Sequence, residues 1–219
     1  MKLNSLLSTI GLACTGAVLV TSSAFAAEPL ADVYIGGGLS YNNASGLGGK
    51  IDSALGNQGL GATHSTADSN STNPNVHLGY QLNSNFAIEG SYDRIGTMNV
   101  QTAVPSTGDT ASGTWKANGV GLSVVGKWPI DNKWSVYGRL GAEQWRTSLH
   151  LASNAGGATN VGATSTTTGL VTGLGTAYSL SRHVDATAEY THYDRVGSTS
   201  VTGQTGINAF SLGVNYHFM

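Results

Sequence analysis

Residues 207–219 read INAFSLGVNYHFM. From Phe210 the residues alternate in character. Phe210, Leu212, Val214, Tyr216 and Phe218 fall on one side, and Ser211, Gly213, Asn215 and His217 on the other. A strand points successive side chains to opposite faces, so this stretch has one oily face and one polar face. Two architectures use such a strand. One is the edge of a soluble sandwich. The other is the closing strand of a transmembrane β-barrel, oily toward lipid and polar toward the lumen.

Upstream, the same alternation recurs seven times: in residues 31–41, 75–82, 86–95, 115–128, 134–146, 168–180 and 184–195. Polar, Gly/Ser/Asn/Thr-rich segments separate them. Residues 42–73, 96–114, 148–166 and 196–206 read as long loops, and 83–85, 129–133 and 181–183 as tight turns. The connections therefore run long, short, long, short, long, short, long. A sandwich has no reason for that rhythm, whereas outer-membrane barrels have short periplasmic turns and longer external loops. Each stretch approaches the roughly 10 residues that a tilted membrane strand needs. Tyr41, Phe86, Trp115, Trp128, Trp134, Tyr216 and Phe218 stand near strand ends, where aromatic girdles form. The expected fold is all-β, an eight-stranded antiparallel up-and-down transmembrane β-barrel with both chain ends on the periplasmic side.

The N-terminus fits export. Lys2, an apolar run over 6–20 and Ala24-Phe25-Ala26 make a secretory signal peptide, with cleavage expected after Ala26. A lipoprotein leader would need Leu three residues before Cys14, where Gly11 stands. Residues 1–26 are thus the expected leader and 27–219 the barrel domain. Cys14 is the sole cysteine, so the mature chain holds no thiol for a disulfide, a zinc finger or a nucleophile. A formal net charge of −2 argues against nucleic acid as a partner. Beyond the leader no apolar run reaches the roughly 18 residues of a membrane helix, so only a closed barrel could span.

Three stretches carry a resemblance: IEGSYDRIG (88–96), KWPIDNKWSVYGRLGAEQWR (127–146) and SLGVNYHF (211–218). They resemble the transmembrane domain of the OmpA family, and the similarity extends over nearly the whole mature chain except the outer loops. The resemblance implies an outer-membrane location in a Gram-negative bacterium, among outer-membrane lipid and lipopolysaccharide. It also implies handling by periplasmic chaperones and the barrel assembly machinery. Family members end the last barrel strand with an aromatic that the insertion machinery reads. Phe210, Leu212, Val214, Tyr216 and Phe218 would form that signal here, although Met219 follows. The family's peptidoglycan-gripping domain has no counterpart in these residues.

An eight-stranded barrel has an interior about wide enough for side chains to fill. The inward set includes Glu89, Asp93, Lys127, Arg139, Glu143, Asp185 and Glu189. Buried charges must pair or hydrogen-bond, so a mutually neutralising plug is expected; the alternative is an ion-accessible thread of water. Inward Gly36, Gly38, Gly119, Gly121, Gly173 and Gly175 are expected to leave room for that water. Alignment with enteric relatives keeps Glu89, Arg139 and Glu189. It puts Thr187, Val125 and Ala177 where the family's Arg, Lys and second Glu are expected, with Lys127 a candidate substitute. The resemblance therefore implies a rewired network.

Catalysis is the rival class, because small barrels of the lipid A deacylase type use a His-x-Ser arrangement backed by an acid. None of His64, His77, His150, His183, His192 and His217 begins such a motif. His192 and Asp194 share a strand face and read as a solvated pair. The histidines lack metal-ligand spacing, and no cofactor is expected. GLGGK (46–50) fails the glycine spacing of a phosphate loop and is read as having no helix after it. The expectation is a non-catalytic structural barrel with surface loops of unspecified ligand; a small low-conductance pore and a lipid A-modifying enzyme are the alternatives.

Overall fold

The computed structural model describes residues 32–61, 63–105, 108–154 and 160–218. The expected leader, Cys14 within it and Met219 lie outside the described residues. The elements are β1 (Val33–Asn43), α1 (Leu47–Asn57), β2 (His64–Ala67), β3 (Asn70–Gln81), β4 (Phe86–Val104), β5 (Asp109–Pro129), β6 (Trp134–Ser153), β7 (Val161–Ser179), β8 (Val184–Ser198) and β9 (Gly203–His217). Each long strand pairs antiparallel with its neighbours in sequence order. β9 closes on β1, with Leu212 opposite Leu39 and Tyr34 opposite His217. The result is a closed eight-stranded up-and-down barrel, and the 207–219 stretch is its closing strand.

β2 is an addition to that plan. β3 pairs with β4 only from Asn75 opposite Asp93 to Gln81 opposite Ala87. Beyond this point β2 takes over beside β4, with Ala67 opposite Val100. The handover falls at a bulge between Arg94 and Gly96, where Gly96 has φ 92°. A Cβ there would overlap the Asn73 side chain, whose Nδ2 donates to the Ile95 carbonyl at 2.7 Å. Extra residues in one strand bend it and increase its twist.

The three short turns match the sequence reading. In each, a leucine or isoleucine N–H closes on the carbonyl four residues on: Leu82 to Phe86, Ile130 to Trp134 and Leu180 to Val184, at 2.8–2.9 Å. Asp131 Oδ1 accepts from the backbone N–H of Lys133 and Trp134, both at 2.7 Å. Those donors favour the charged form and hold its carboxyl below the ordinary value.

The four long loops are largely structured, which corrects the sequence reading. Residues 42–73 contain α1, β2 and the start of β3; β4 runs to Val104 and β5 begins at Asp109. β6 runs to Ser153 and β7 starts at Val161, and only four residues separate β8 from β9. The reason is an inversion of hydrophobic phase along the strands. Near the short turns the outward residues are apolar, as Leu122 and Leu140 are, 64% and 62% exposed. Toward the other end the inward residues become apolar. Met98, Val100, Trp115, Trp145, Leu149 and Ile207 are buried there, and Leu47, Ile51 and Leu55 of α1 pack onto them as a lid. Polar residues such as Lys116 and Arg146 face out at that level.

Two details change with it. Trp115 is no girdle residue: it is fully buried, and its indole N–H donates to the Thr202 carbonyl at 3.0 Å. It shares inward parity with Gly119 and Gly121 on β5. A helix does begin within the GLGGK stretch, since Leu47, Ile51, Ala54 and Leu55 recur at helical spacing and are buried on one face.

Candidate functional site: the charged lumen

Alternation along seven of the strands aims polar side chains at the barrel axis, and antiparallel register stacks them in layers. Nearest the short turns, Lys127 Nζ lies 3.3 Å from Asp185 Oδ2. His217 bridges the same Asp185 at 3.3 Å and Asp32 at 2.5 Å. This layer joins the two ends of the described chain, because Asp32 precedes β1 and His217 ends β9.

The next layer centres on Arg139. Its Nη1 lies 2.6 Å from Glu89 Oε2, and its Nε and Nη2 lie 2.7 and 3.1 Å from the two oxygens of Glu189. One planar guanidinium thus spans two carboxylates from β4 and β8 in the geometry that suits it best. Tyr34 donates to Glu89 at 2.5 Å, Tyr137 to Glu189 at 3.0 Å and Thr191 to Glu189 at 2.9 Å. Beyond it, Glu143 and Asp93 both lie buried at the lumen. Trp145 and Tyr193 then meet edge to face, 5.0 Å between centroids, and begin the apolar core.

All seven charged residues expected in the lumen face it, but not as a mutually neutralising set. Among the described residues, Lys127 and Arg139 are the fixed cations facing Asp32, Glu89, Asp93, Glu143, Asp185 and Glu189. Hydroxyl donors and His217 stand against the remaining carboxylates of Glu89, Glu189, Asp32 and Asp185. Arg139 takes the Glu89 carboxylate, and Lys127 goes to Asp185. Val125 and Ala177 pack with Tyr34, Ala87 and Tyr137 in a small apolar cluster instead.

Several lumen glycines lie against large side chains. A Cβ at Gly175 would overlap the Tyr137 ring, one at Gly119 the Glu143 carboxyl, and one at Gly36 the His77 and Asn215 side chains. Small residues face large neighbours, so side chains take up much of the space. A cavity of about 70 Å³ remains between the layers, enough for a few waters.

Sequence reasoning passed over Tyr34, Tyr137, His77, Asp32 and His217 as network members. The signal for four of them was present, since they hold inward parity on β1, β6, β3 and β9. Asp32 lies just before its strand and had no such signal. On the outer face, His192 Nδ1 lies 2.8 Å from Asn208 Oδ1, and Tyr190 donates to that same oxygen at 3.0 Å. Asp194 pairs with Arg195 at 3.1 Å, not with His192. Phe210, Leu212, Val214, Tyr216 and Phe218 are all exposed on the outer face of the closing strand.

Known proteins are similar to this chain in sequence and in fold. Outer membrane protein A of Salmonella typhi is 31% identical over 141 residues, 64% of this chain and 38% of that protein. Outer membrane protein A of Yersinia pseudotuberculosis is 28% identical over 186 residues, 84% of this chain and 48% of that protein. The chain therefore spans less than half the length of these curated relatives. The crystal structure of the outer membrane protein OprG from Pseudomonas aeruginosa matches in fold with TM-score 0.61 at 17% identity, covering 86% of this chain and 96% of that one. The OmpA-like transmembrane domain family matches residues 30–219. The chain belongs to that family and is a β-barrel of the bacterial outer membrane.

Proposed function

We propose that this chain is a non-catalytic, non-conducting structural barrel that carries its helix-capped end outward. The observation behind it is a double occlusion of the lumen. A tyrosine-braced Arg139–Glu89–Glu189 cluster fills the membrane band, and a largely apolar core under α1 fills the part beyond it. Ions crossing would have to break buried pairs and then traverse an apolar layer, both costly. The pore alternative would need both to open. The lipid A-modifying alternative needs a nucleophile with a base in reach, and two strand histidines are taken up otherwise: His192 by Asn208, His217 by Asp32 and Asp185.

Residues 1–26 serve as the export leader in this reading. Phe210, Leu212, Val214, Tyr216 and Phe218 form the signal by which the assembly machinery and periplasmic chaperones handle the chain. Outer-leaflet lipid and lipopolysaccharide surround the finished barrel. Single-channel recording of the refolded protein in a planar bilayer tests the function. A flat baseline is expected, and discrete openings that scale with protein added would replace this reading with the pore.

A further inference from the structure

Among the described residues, three cations with no acidic partner stand together on the outer wall. In the β4–β5–β6 register Arg94 lies opposite Asn118, and Asn118 lies opposite Arg146. Lys116 follows two residues along β5, opposite Thr97 on one side and Ser148 on the other. Arg94, Lys116 and Arg146 are all exposed. Neighbouring strands lie about 4.8 Å apart, so two strand spacings separate the arginine backbones, well within the reach of both side chains. The ion pairs among the described residues use Lys127, Arg139, Arg195 and His217 as cations, and none of these three. The exposed carboxylates of neighbouring elements are engaged elsewhere: Asp68 by Asn99 at 2.9 Å, and Asp194 by Arg195, two strands from Arg146.

Their height says what they meet. On β4 the outward residues run Phe86, Ile88, Gly90, Tyr92 and then Arg94. On β5 they run Trp128, Val124, Leu122, Val120, then Asn118 and Lys116. The cations begin one outward position above the acyl-facing band, at headgroup level. We propose that Arg94, Lys116 and Arg146 form a binding site for the phosphates of a phosphorylated, acylated glycolipid of the outer leaflet, with Asn118 as a hydrogen-bonding partner between the arginines. Arginine forks match phosphate oxygens two at a time, and Lys116 adds a point charge. Placement against the oily band favours a lipid-borne phosphate over a soluble one, since the same molecule can then put its acyl chains on Val120, Leu122 and Tyr92. The site rests on the outward orientation of the helix end proposed above.

The test uses the full folded chain in detergent with labelled diphosphorylated, hexa-acylated glucosamine disaccharide. A basic residue near an anionic surface contributes about 1 kcal/mol, or about fivefold in affinity. Arg94→Gln, Lys116→Gln and Arg146→Gln should each weaken binding about fivefold, and the triple variant on the order of a hundredfold. Lys133→Gln/Arg182→Gln at the opposite end should bind as the parent does. All these residues are exposed, and the heat-dependent gel shift of each variant verifies folding. Equal affinity in parent and triple variant overturns the site. Equal, triple-sensitive affinity for the deacylated disaccharide overturns the lipid assignment. Orientation is read separately with an impermeant maleimide on intact cells. Thr199→Cys should label and Asn132→Cys should not, and the reverse pattern overturns the orientation whatever the binding result.

Discussion

Trp115 and Leu122 stand seven residues apart on β5 and face opposite sides of the wall: the indole is fully buried in the barrel, while the leucine is 64% exposed on its outer surface. Both are large apolar groups on one strand. Leu122 faces outward because lipid surrounds that level. Trp115 faces inward because water surrounds the next, where α1 closes an apolar core. A single strand thus serves two solvents, with its hydrophobic phase reversed between them.

Disrupting either apolar face should destabilise the fold, each for its own reason. Leu122→Arg and Leu140→Arg put a cation into lipid, at a cost of about 2–4 kcal/mol near the midplane. Trp115→Ala opens a cavity in the capped core, at a cost of about 3–5 kcal/mol. Reversible urea unfolding in lipid vesicles reads all three. Neutral Leu122→Arg and Leu140→Arg would mean that this face is not in lipid.

Arg139 is the keystone of the lumen. Arg139→Leu leaves Glu89 and Glu189 buried without their cation, a loss of about 3–5 kcal/mol. The side chains crowding the lumen glycines leave little water to soften it. Arg139→Leu combined with Glu89→Gln and Glu189→Gln should recover most of the stability, since the stranded charges are gone. If the triple variant were no more stable than Arg139→Leu in the same urea titration, the loss would come from packing and not from charge.

The helix should leave its seat without taking the barrel with it. Ile51→Asp sets a carboxylate against Leu47, Leu55 and the Trp115 core, where a lone charge is costly. The barrel's ladder does not include α1. Proteolysis within α1 should become rapid, while the heat-dependent gel shift of the barrel persists. Loss of that shift would make α1 integral to barrel closure.

The turn at Asp131 should respond to acid. Its carboxyl is held below the ordinary 3.8 by the Lys133 and Trp134 N–H groups, so the folded turn binds a proton less readily than the unfolded chain. The stabilisation is therefore present above 3.8 and lost as pH falls through the lower, folded value. Amide protection at Lys133 and Trp134, followed by NMR, should fall over that range. Asp131→Asn keeps an acceptor oxygen and should remove the pH dependence. Protection in the parent protein that does not vary with pH would refute the role of the charged carboxyl.

Alternation alone determined the barrel. A period of two, repeated eight times with long and short connections in turn, leaves few other ways to satisfy backbone hydrogen bonds and bury one face. It also placed Leu140 and Arg139 on opposite sides, and all seven lumen charges on the inside. The sequence did not declare which solvent each face meets, because alternation reads the same when its polarity is inverted. Residues 96–114 and 148–166 therefore looked like loops, although Met98, Val100, Leu149 and Leu151 keep the period. Partner choice was decided only in three dimensions. Arg139 meets Glu89 and Glu189 because barrel closure brings β4, β6 and β8 to one axis, and Asp32 meets His217 because closure joins the two ends of the described chain. The rim of Arg94, Lys116 and Arg146 likewise exists only through register, across residues as far as 52 positions apart.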